Sequence, residues 1–265
     1  MRDNATTDVK RHTGRGVTAH DVDRERLARS RVLIVGLGAL GTPAARQLAA
    51  AGVGTLGLID PDVVELSNLH RQVLYGMEDL GTRKVDAAQR RLIELHPNLR
   101  VEARAERLQW GNLPALFADV DFVVDATDGV EAKFLINDGA VSTGRPFSHA
   151  GVMGFQGQTM TVVPGRSACF RCLFPEPPPP GSVASCREAG VVGPTAGFIA
   201  SVQASEAIRI LRGEEPLLCN RLLTYDGSTR RCRKVELARN PRCPICAPQA
   251  RIERLEAAGG AGYGS

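Results

Sequence analysis

A chain of 265 residues with 43% hydrophobic residues is long enough to bury one large α/β core. The net charge of +4 at pH 7 is mild, and without a dense basic stripe we expect no nucleic-acid partner. There is neither an apolar run of membrane-spanning length nor a hydrophobic signal core at the N-terminus, which predicts a cytoplasmic protein with no membrane partner.

The first half of the chain alternates predicted strands and helices. Residues 1–25 are polar without clear periodicity and are interpreted as an N-terminal arm, ahead of a single domain over 26–250 and a flexible tail over 251–265. Apolar runs predict strands at 31–35, 55–59, 101–105, 121–125 and 147–151. Helical spacing predicts helices at 42–51, 82–95 and 130–142. This alternation favours a Rossmann-like, doubly wound, mainly parallel α/β sheet.

The second half of the chain has a different pattern. Residues 156–163 predict an antiparallel strand, and a run of four prolines predicts a mobile crossover loop over 173–192. A helix is expected over 195–212, followed by a hairpin of 221–225 and 232–237. The fold prediction is therefore a parallel sheet with a C-terminal antiparallel extension.

A glycine-rich turn follows the first predicted strand. Gly36, Gly38 and Gly41 form the pattern Gly-x-Gly-x-x-Gly, which lets backbone N–H groups approach a phosphate at the N-terminus of the next helix. Asp60 ends the second strand, where a carboxylate can accept hydrogen bonds from a ribose hydroxyl. The pattern indicates a nucleotide site. Glycines that only permit close strand–helix packing are the alternative.

The stretch after Asp60 separates classes of nucleotide-binding protein. It carries Asp62, then the short polar segment Ser67, Asn68, Leu69, His70, Arg71 and Gln72, and then Lys84. Arg71 and Lys84 can both face a triphosphate, and fixed cations are usually the largest catalytic contribution at such a site. A dehydrogenase needs no such cluster. The alternative is a solvated charged helix face, because Arg83, Arg90 and Arg91 share the stretch with Lys84.

Asp128 follows the predicted strand 121–125, at the edge where open α/β sheets bind ligands. A carboxylate there can bind Mg²⁺ together with phosphate oxygens. Capping of the following helix is the alternative role, because aspartate is a favourable N-cap residue.

Four of the seven cysteines form two Cys-x-x-Cys pairs, Cys169 with Cys172 and Cys243 with Cys246. Two such pairs complete a tetrahedral Cys₄ site, which predicts structural Zn²⁺. Four buried reduced cysteines or a redox pair are the alternatives. Cys186 lies in the predicted crossover loop, where Arg187 can lower its pKa. Cys219 and Cys232 are interpreted as ordinary core or strand positions.

These motifs, in this order, resemble the ThiF/MoeB/HesA family, the bacterial relatives of ubiquitin-activating enzymes. The matching segments are 36–41, 60–62, 67–72, Lys84, 125–128, 169–172, 186–190 and 243–246. The resemblance implies a nucleotide-binding set for ATP and Mg²⁺ made of Gly36, Gly38, Ala39, Leu40, Gly41, Asp60, Asp62, Ser67, Asn68, Leu69, Arg71, Gln72, Lys84 and Asp128. Within that set it implies that Arg71 and Lys84 stabilise charge and Asp128 binds Mg²⁺. It also makes Cys186 a candidate for a covalent link to the carrier protein on which the family acts, or for accepting sulfur, although some relatives do not require this cysteine.

The activity that the resemblance implies is adenylation of the C-terminal glycine of a ubiquitin-like sulfur-carrier protein ending in Gly-Gly, for molybdopterin, thiamine or another thiolated product. It further implies a homodimer, and a separate sulfurtransferase or cysteine desulfurase, since the chain ends near residue 265 without a rhodanese-like domain. The chain departs from the family at Ala39 and at Gly129. It also lacks the N-terminal Arg-aromatic-x-Arg segment that lends an arginine to the partner subunit, for which Arg11 and Arg15 are the candidates.

Three alternative functions stay open at this point. The glycine motif by itself fits an NAD-type oxidoreductase. A non-catalytic scaffold of the same fold fits the missing arginine segment. A peptide- or tRNA-adenylating relative fits the same enzyme class, and the Cys₄ pattern and chain length disfavour the tRNA version.

Overall fold

A computed structural model describes residues 21–179 and 190–248, whose strands form one eight-stranded sheet. The strands are β1 (Arg31–Val35), β2 (Thr55–Ile59), β3 (Arg100–Arg104), β4 (Phe122–Asp125), β5 (Phe147–Met153), β6 (Gln156–Val162), β7 (Arg221–Asp226) and β8 (Arg231–Glu236). Their order is β3-β2-β1-β4-β5-β6-β7-β8. Along that order, neighbouring strands are parallel from β3 through β2, β1 and β4 to β5. Neighbouring strands from β5 to β8 are antiparallel. The predicted doubly wound sheet with an antiparallel extension is confirmed.

The helices of the described residues connect and cover this sheet. They are α1 (Asp21–Arg29), α2 (Gly41–Ala51), α3 (Lys84–Leu95), α4 (Leu113–Phe117), α5 (Val130–Thr143), α6 (Phe170–Leu173) and α7 (Gly193–Leu211), with short 3₁₀ turns at Leu66–Asn68 and Met77–Asp79. None of them combines the length and the apolar character needed to cross a bilayer.

Apolar side chains are buried on both faces of the sheet. Along β1, Val32 and Ile34 join the cluster with α2, α3 and α7, whereas Leu33 and Val35 join the cluster with α4 and α5. Successive side chains of a strand point to opposite faces, so a strand covered by helices on both sides needs a continuous apolar run. Because β1 is buried on both faces, it has the continuous apolar run from which the sequence predicts it.

Three helices, α1, α4 and the four-residue α6, are not indicated by the sequence pattern. Helix α1 begins at Asp21, within the segment interpreted as an arm, and it packs by Leu27 while Asp23 pairs with Arg212 at 2.8 Å. Helix α4 is five residues long, too short for a helical period to appear. All three are held by tertiary contacts. Of the predicted crossover loop, residues 180–189 lie outside the described residues.

Candidate functional site

The glycine turn connects β1 to α2 at the carboxyl edge of the parallel strands. A Cβ atom on Gly36, whose φ is +92°, would lie 2.7 Å from the carbonyl oxygen of Ala126, and one on Gly41 would lie 1.9 Å from the carbonyl oxygen of Gly36. A Cβ on Gly38 would meet only the Gln72 amide, at 3.8 Å. Close packing therefore explains Gly36 and Gly41, but it does not explain Gly38.

Asp60, at the end of β2, is tied to the glycine turn. Its buried carboxylate accepts hydrogen bonds from the backbone N–H of Leu37 at 2.6 Å and of Asp62 at 2.9 Å. The Tyr75 hydroxyl donates to the Leu37 carbonyl at 3.0 Å. Burial raises the pKa of Asp60, and the nearby Lys84 ammonium opposes that rise. The Asp60 carboxylate thus joins the ends of β1 and β2, and its role as a ribose ligand stays a prediction.

Lys84 is the first residue of α3 and is turned inward. Its side chain is only 6% exposed, and its Nζ lies 2.8 Å from Asp62 Oδ2 and 3.9 Å from Asp60 Oδ1. The solvated-face alternative is therefore wrong for Lys84. The solvated-face alternative holds for the arginines near Lys84, since Arg83, Arg90 and Arg91 are exposed. Arg90 pairs with Asp79, and Arg91 pairs with Glu78.

The polar segment after β2 forms a compact turn beside the start of α7. Arg71 Nη2 donates to Asn68 Oδ1 at 2.9 Å, and Arg71 Nη1 donates to the Ser67 carbonyl at 3.0 Å. A Cβ on Gly193 would lie 3.6 Å from the Arg71 Cα. Gln72 is buried, and its Oε1 has no hydrogen-bond partner among the described residues. Leu69 is half-buried and packs against the core, and its predicted place in the nucleotide-binding set stays a prediction.

Asp128 lies in the loop between β4 and α5, and its side chain is exposed. The N-cap of α5 is Gly129, and no side chain caps this helix, so the capping alternative for Asp128 is wrong. The residue before Asp128 lies against the glycine turn, because a Cβ on Gly36 would lie 3.1 Å from the backbone nitrogen of Thr127. The loop that carries Asp128 therefore adjoins the turn. An exposed carboxylate in a loop that adjoins the glycine turn suits Mg²⁺ chemically, and its binding of Mg²⁺ stays a prediction.

The predicted nucleotide residues are brought together only in part. Asp60, Asp62 and Lys84 form one ion-paired group that joins the glycine turn, and Gln72 reaches Gly38. Within the described chain, the side chains of Arg71 and Asp128 share no hydrogen bond or ion pair with Lys84. The convergence of Arg71, Lys84 and Asp128 on a triphosphate stays a prediction.

A buried polar cluster beneath Asp128 was not expected from the sequence. Lys133 Nζ lies 3.2 Å from Asp125 Oδ2, and His149 Nδ1 lies 3.0 Å from the same oxygen. Although burial acts to raise it, Lys133 and His149 lower the pKa of Asp125 to about 2. Gln203 Nε2 donates to the Asp125 carbonyl at 2.9 Å. In the sequence, the one sign of this cluster is that Lys133 lies in the first turns of a helix, where the helix dipole disfavours a cation.

The four predicted metal ligands form a second site. The sulfurs of Cys169 and Cys243 are 3.6 Å apart, those of Cys169 and Cys172 are 3.9 Å apart, and those of Cys172 and Cys246 are 3.3 Å apart. All four lie within 4.8 Å of one another and can hold one metal ion. Zn–S bonds of about 2.3 Å in a tetrahedron place sulfurs about 3.8 Å apart, so the spacing fits. These distances are too long for disulfides, and all four are free thiols.

The cysteine cluster is anchored to α5. Arg171, between the two cysteines of the first pair, binds the fully buried Asp138 through Nε at 2.8 Å and Nη2 at 2.7 Å. The backbone N–H of Phe170 donates to Asn137 Oδ1 at 2.8 Å. Burial, followed by the charges of the neighbouring thiols, raises the pKa of Cys169. Helix α5 thus runs from the Asp128 loop to the cysteine cluster.

The remaining expectations concern cysteines and the N-terminal arginines. Cys186, Arg11 and Arg15 lie outside the described residues. Cys232 lies exposed on β8 and Cys219 is half-buried just before β7, so both are ordinary strand-region positions. Among the described residues other than glycine, only Asn220 and Arg230 have a positive φ. Ala39 therefore has a negative φ, which alanine adopts without strain, so the turn accommodates the departure from glycine.

Comparison with known proteins agrees with this arrangement. The model of the ThiF family matches residues 11–245. The chain is 45% identical over 231 residues to a sulfur carrier protein adenylyltransferase of Thermus thermophilus, covering 85% of each chain. It is 42% identical over 221 residues to a SAMP-activating enzyme E1 of Haloferax volcanii, covering 83% of this chain and 82% of the relative.

A likeness in structure supports the fold alone. A crystal structure of E. coli MccB with MccA-N7isoASN superposes with a TM-score of 0.78 at 23% identity, covering 86% of this chain and 70% of that chain. Taken with the extent of the family match and the identity to these relatives, the sheet, the glycine turn and the cysteine cluster lead to one conclusion: the chain belongs to the ThiF family.

Proposed function

We propose that this protein uses ATP to adenylate the C-terminal glycine carboxylate of a ubiquitin-like sulfur-carrier protein. The observation that carries the proposal is the buried ammonium of Lys84, held by Asp60 and Asp62 beside a glycine turn in which a Cβ on Gly38 would meet nothing closer than the Gln72 amide, at 3.8 Å. Relatives at 45% and 42% identity are named for carrier adenylation and for activation of SAMP.

The nucleotide is accommodated by polar atoms that the protein itself leaves unsatisfied. Gln72 is buried with its Nε2 beside Gly38, and its Oε1 has no hydrogen-bond partner within the described part of the chain; buried polar atoms without a partner are rare in proteins. The backbone around Gly38, Ala39 and Leu40 would contact the phosphates and the sugar, and Asp60 would accept hydrogen bonds from the ribose.

The reaction needs no side-chain nucleophile. An oxygen of the carrier carboxylate forms a bond to the α-phosphorus, and the bond from that phosphorus to the bridging oxygen breaks, releasing pyrophosphate. The protein contributes positioning and positive charge, chiefly from Lys84 and Arg71. A Mg²⁺ ion held by Asp128 and phosphate oxygens would neutralise part of the triphosphate charge.

The cysteine cluster and the partners complete the proposal. Four thiolates in a closed tetrahedral set are the donor set typical of structural Zn²⁺.

The acceptor is a carrier ending in Gly-Gly, and a separate sulfurtransferase or cysteine desulfurase supplies sulfur for the molybdopterin, thiamine or other thiolated product. The assembly is a homodimer. The cytoplasmic location fits free thiols, which reducing compartments preserve.

An NAD-type oxidoreductase is less well supported. The glycine turn and Asp60 suit a dinucleotide as well as ATP. The buried cation at the end of β2 favours ATP, because a nicotinamide dinucleotide carries no terminal triphosphate to neutralise.

The decisive experiment is exchange of labelled pyrophosphate into ATP, with purified carriers of the ThiS and MoaD type ending in Gly-Gly. Carriers lacking the last glycine should be inactive, and mass spectrometry should detect the acyl-adenylate. Lys84→Ala should lower exchange about 100-fold or more, the scale of losing a fixed electrostatic group.

Arg91→Ala is the matched control, because Arg91 lies on the same helix with a side chain 46% exposed. It should exchange at the wild-type rate. Absence of carrier-dependent exchange with every carrier, or full exchange by Lys84→Ala, would overturn the proposal.

A further inference from the structure

We propose that Lys133 is a positioning residue that sets the backbone at Asp128 for metal–nucleotide binding. The inference rests on the proposed function, because it assigns Asp128 to the Mg²⁺ of ATP. It adds a residue of α5 that belongs to none of the predicted nucleotide motifs.

The hydrogen bonds of Lys133 join three segments of the chain. Its ammonium donates to the Thr127 carbonyl at 2.7 Å and to the Ala150 carbonyl at 2.5 Å, and it lies 3.2 Å from Asp125 Oδ2. One side chain therefore connects the end of β4, the loop before Asp128 and the middle of β5.

The contact with Thr127 acts directly on Asp128. The Thr127 carbonyl belongs to the peptide group that joins Thr127 to Asp128, and peptide groups are planar. Fixing that oxygen therefore restricts the Cα of Asp128. The other flank of Thr127 is fixed as well, because its hydroxyl donates to Asp125 Oδ1 at 2.7 Å and its backbone N–H donates to the same oxygen at 3.1 Å.

The same loop also touches the glycine turn. Ala126 and Thr127 lie so close to Gly36 that a Cβ there would be 2.7 Å from the Ala126 carbonyl oxygen. A shift of the loop would therefore move Asp128 relative to the phosphate-binding backbone. Lys133 controls both the carboxylate and its distance from the turn.

Placing the Lys133 ammonium at this buried position costs free energy, which such a role would explain. Its side chain is only 11% exposed, and it lies in the first turns of α5, where the helix dipole disfavours positive charge. A buried ammonium needs paired acceptors, which Asp125 and the two carbonyls supply. The arrangement holds a loop with an exposed carboxylate at its end.

The test compares Lys133→Met and Lys133→Arg with the wild type. Methionine keeps much of the side-chain volume and removes every donor, while arginine keeps the charge and the donors. Binding of Mn²⁺ in the presence of a non-hydrolysable ATP analogue is followed by the electron paramagnetic resonance signal of free Mn²⁺. We expect Lys133→Met to weaken Mn²⁺ binding about 10- to 100-fold, as is usual when a supporting residue of a metal ligand is lost, and Lys133→Arg to restore much of it.

Glu206→Gln controls for a loss of stability. Glu206 is buried in α7 and accepts hydrogen bonds from Thr161 and from the backbone of Leu218, both at 2.8 Å, away from the proposed metal ligand. It should lower the melting temperature while leaving the Mn²⁺ affinity unchanged. If Lys133→Met likewise melts earlier yet binds Mn²⁺ as the wild type does, Lys133 is only structural and the inference fails.

Failure of the proposed function has a different signature. In that case the wild-type protein shows neither carrier-dependent exchange nor nucleotide-dependent Mn²⁺ binding. A wild type that exchanges pyrophosphate, with a Lys133→Met variant of unchanged Mn²⁺ affinity and unchanged Mg²⁺ requirement, overturns the positioning role alone.

Discussion

At the scale of single residues, the glycine motif separates into two kinds of position. Gly36 and Gly41 are required by contacts within the protein, since a Cβ on either would meet backbone atoms at 2.7 Å or less. Gly38 meets no such obstacle. The sequence shows three equivalent glycines, and their different reasons appear only when the turn is seen against β4. The position without a packing reason is the one at which the proposed nucleotide would approach the backbone.

Substitution of these glycines should separate folding from nucleotide binding. Gly38→Ala should fold with a near-native melting temperature and raise the KM for ATP about tenfold or more, because backbone approach to the phosphates is blocked. Gly41→Ala should be destabilised by about 3 kcal/mol or more through overpacking. Thermal melting and exchange kinetics measure the two effects. Gly111→Ala is the control, since nothing lies within 4 Å of its Cβ position. An unchanged KM in Gly38→Ala would contradict the assignment.

At the scale of elements, β4, β5 and α6 are joined through His149. This histidine on β5 pairs with Asp125 at the end of β4, and its ring lies 4.4 Å from the ring of Phe170 in α6. Burial lowers the pKa of His149, with Asp125 acting in the opposite direction. The neutral ring carries its proton on Nδ1 to meet the carboxylate, and its Nε2 has no partner among the described residues.

This pair predicts how stability depends on pH. The native state resists protonation of His149, whereas the unfolded chain binds a proton as the pH falls below about 6.5. Because the unfolded state then holds more protons, stability falls with decreasing pH, by up to about 1.4 kcal/mol per pH unit. The lowered pKa of Asp125 works in a separate window, since its stabilisation is present above about pH 4 and is lost towards about pH 2.

Urea unfolding between pH 5 and 7.5 measures this contribution. His149→Gln should flatten the pH dependence of the free energy of unfolding relative to the wild type. His70→Gln, at an exposed position, should leave the slope as it is. Parallel slopes for the wild type and His149→Gln would show that His149 is not the titrating group.

At the scale of the whole molecule, the cysteine cluster closes the second half of the fold. Cys169 precedes α6 and Cys172 lies within it, after β6, and Cys243 and Cys246 follow β8, so the cluster connects the two ends of the antiparallel extension. The intervening chain includes α7, which covers one face of the sheet. A metal bound here stabilises the fold by linking segments that are far apart in sequence.

Removing the metal should destabilise the whole molecule. Native mass spectrometry should show one Zn²⁺ per chain, and a chelator should lower the melting temperature by about 6–12 °C if the site contributes about 3 kcal/mol. Cys243→Ser should have the same effect. Cys219→Ser and Cys232→Ser lie outside the cluster and should melt as the wild type does. A metal-free wild type with the same melting temperature would argue that the thiols are simply buried.

The sequence by itself determined the alternating strands and helices of the parallel half, the glycine turn, Asp60 at the end of β2 and the ligand set of the cysteine cluster, whereas the order of the strands came from the structure. These features depend on local signals: continuous apolar runs, fixed glycine spacing and paired cysteines. Helices α1 and α4, the inward side chain of Lys84 and the cluster of Lys133, Asp125 and His149 were decided by the tertiary structure. A charged residue on a helix reads the same in sequence whether it faces water or a buried carboxylate. Only the packing of distant strands supplies the partner that makes burial of the charge favourable.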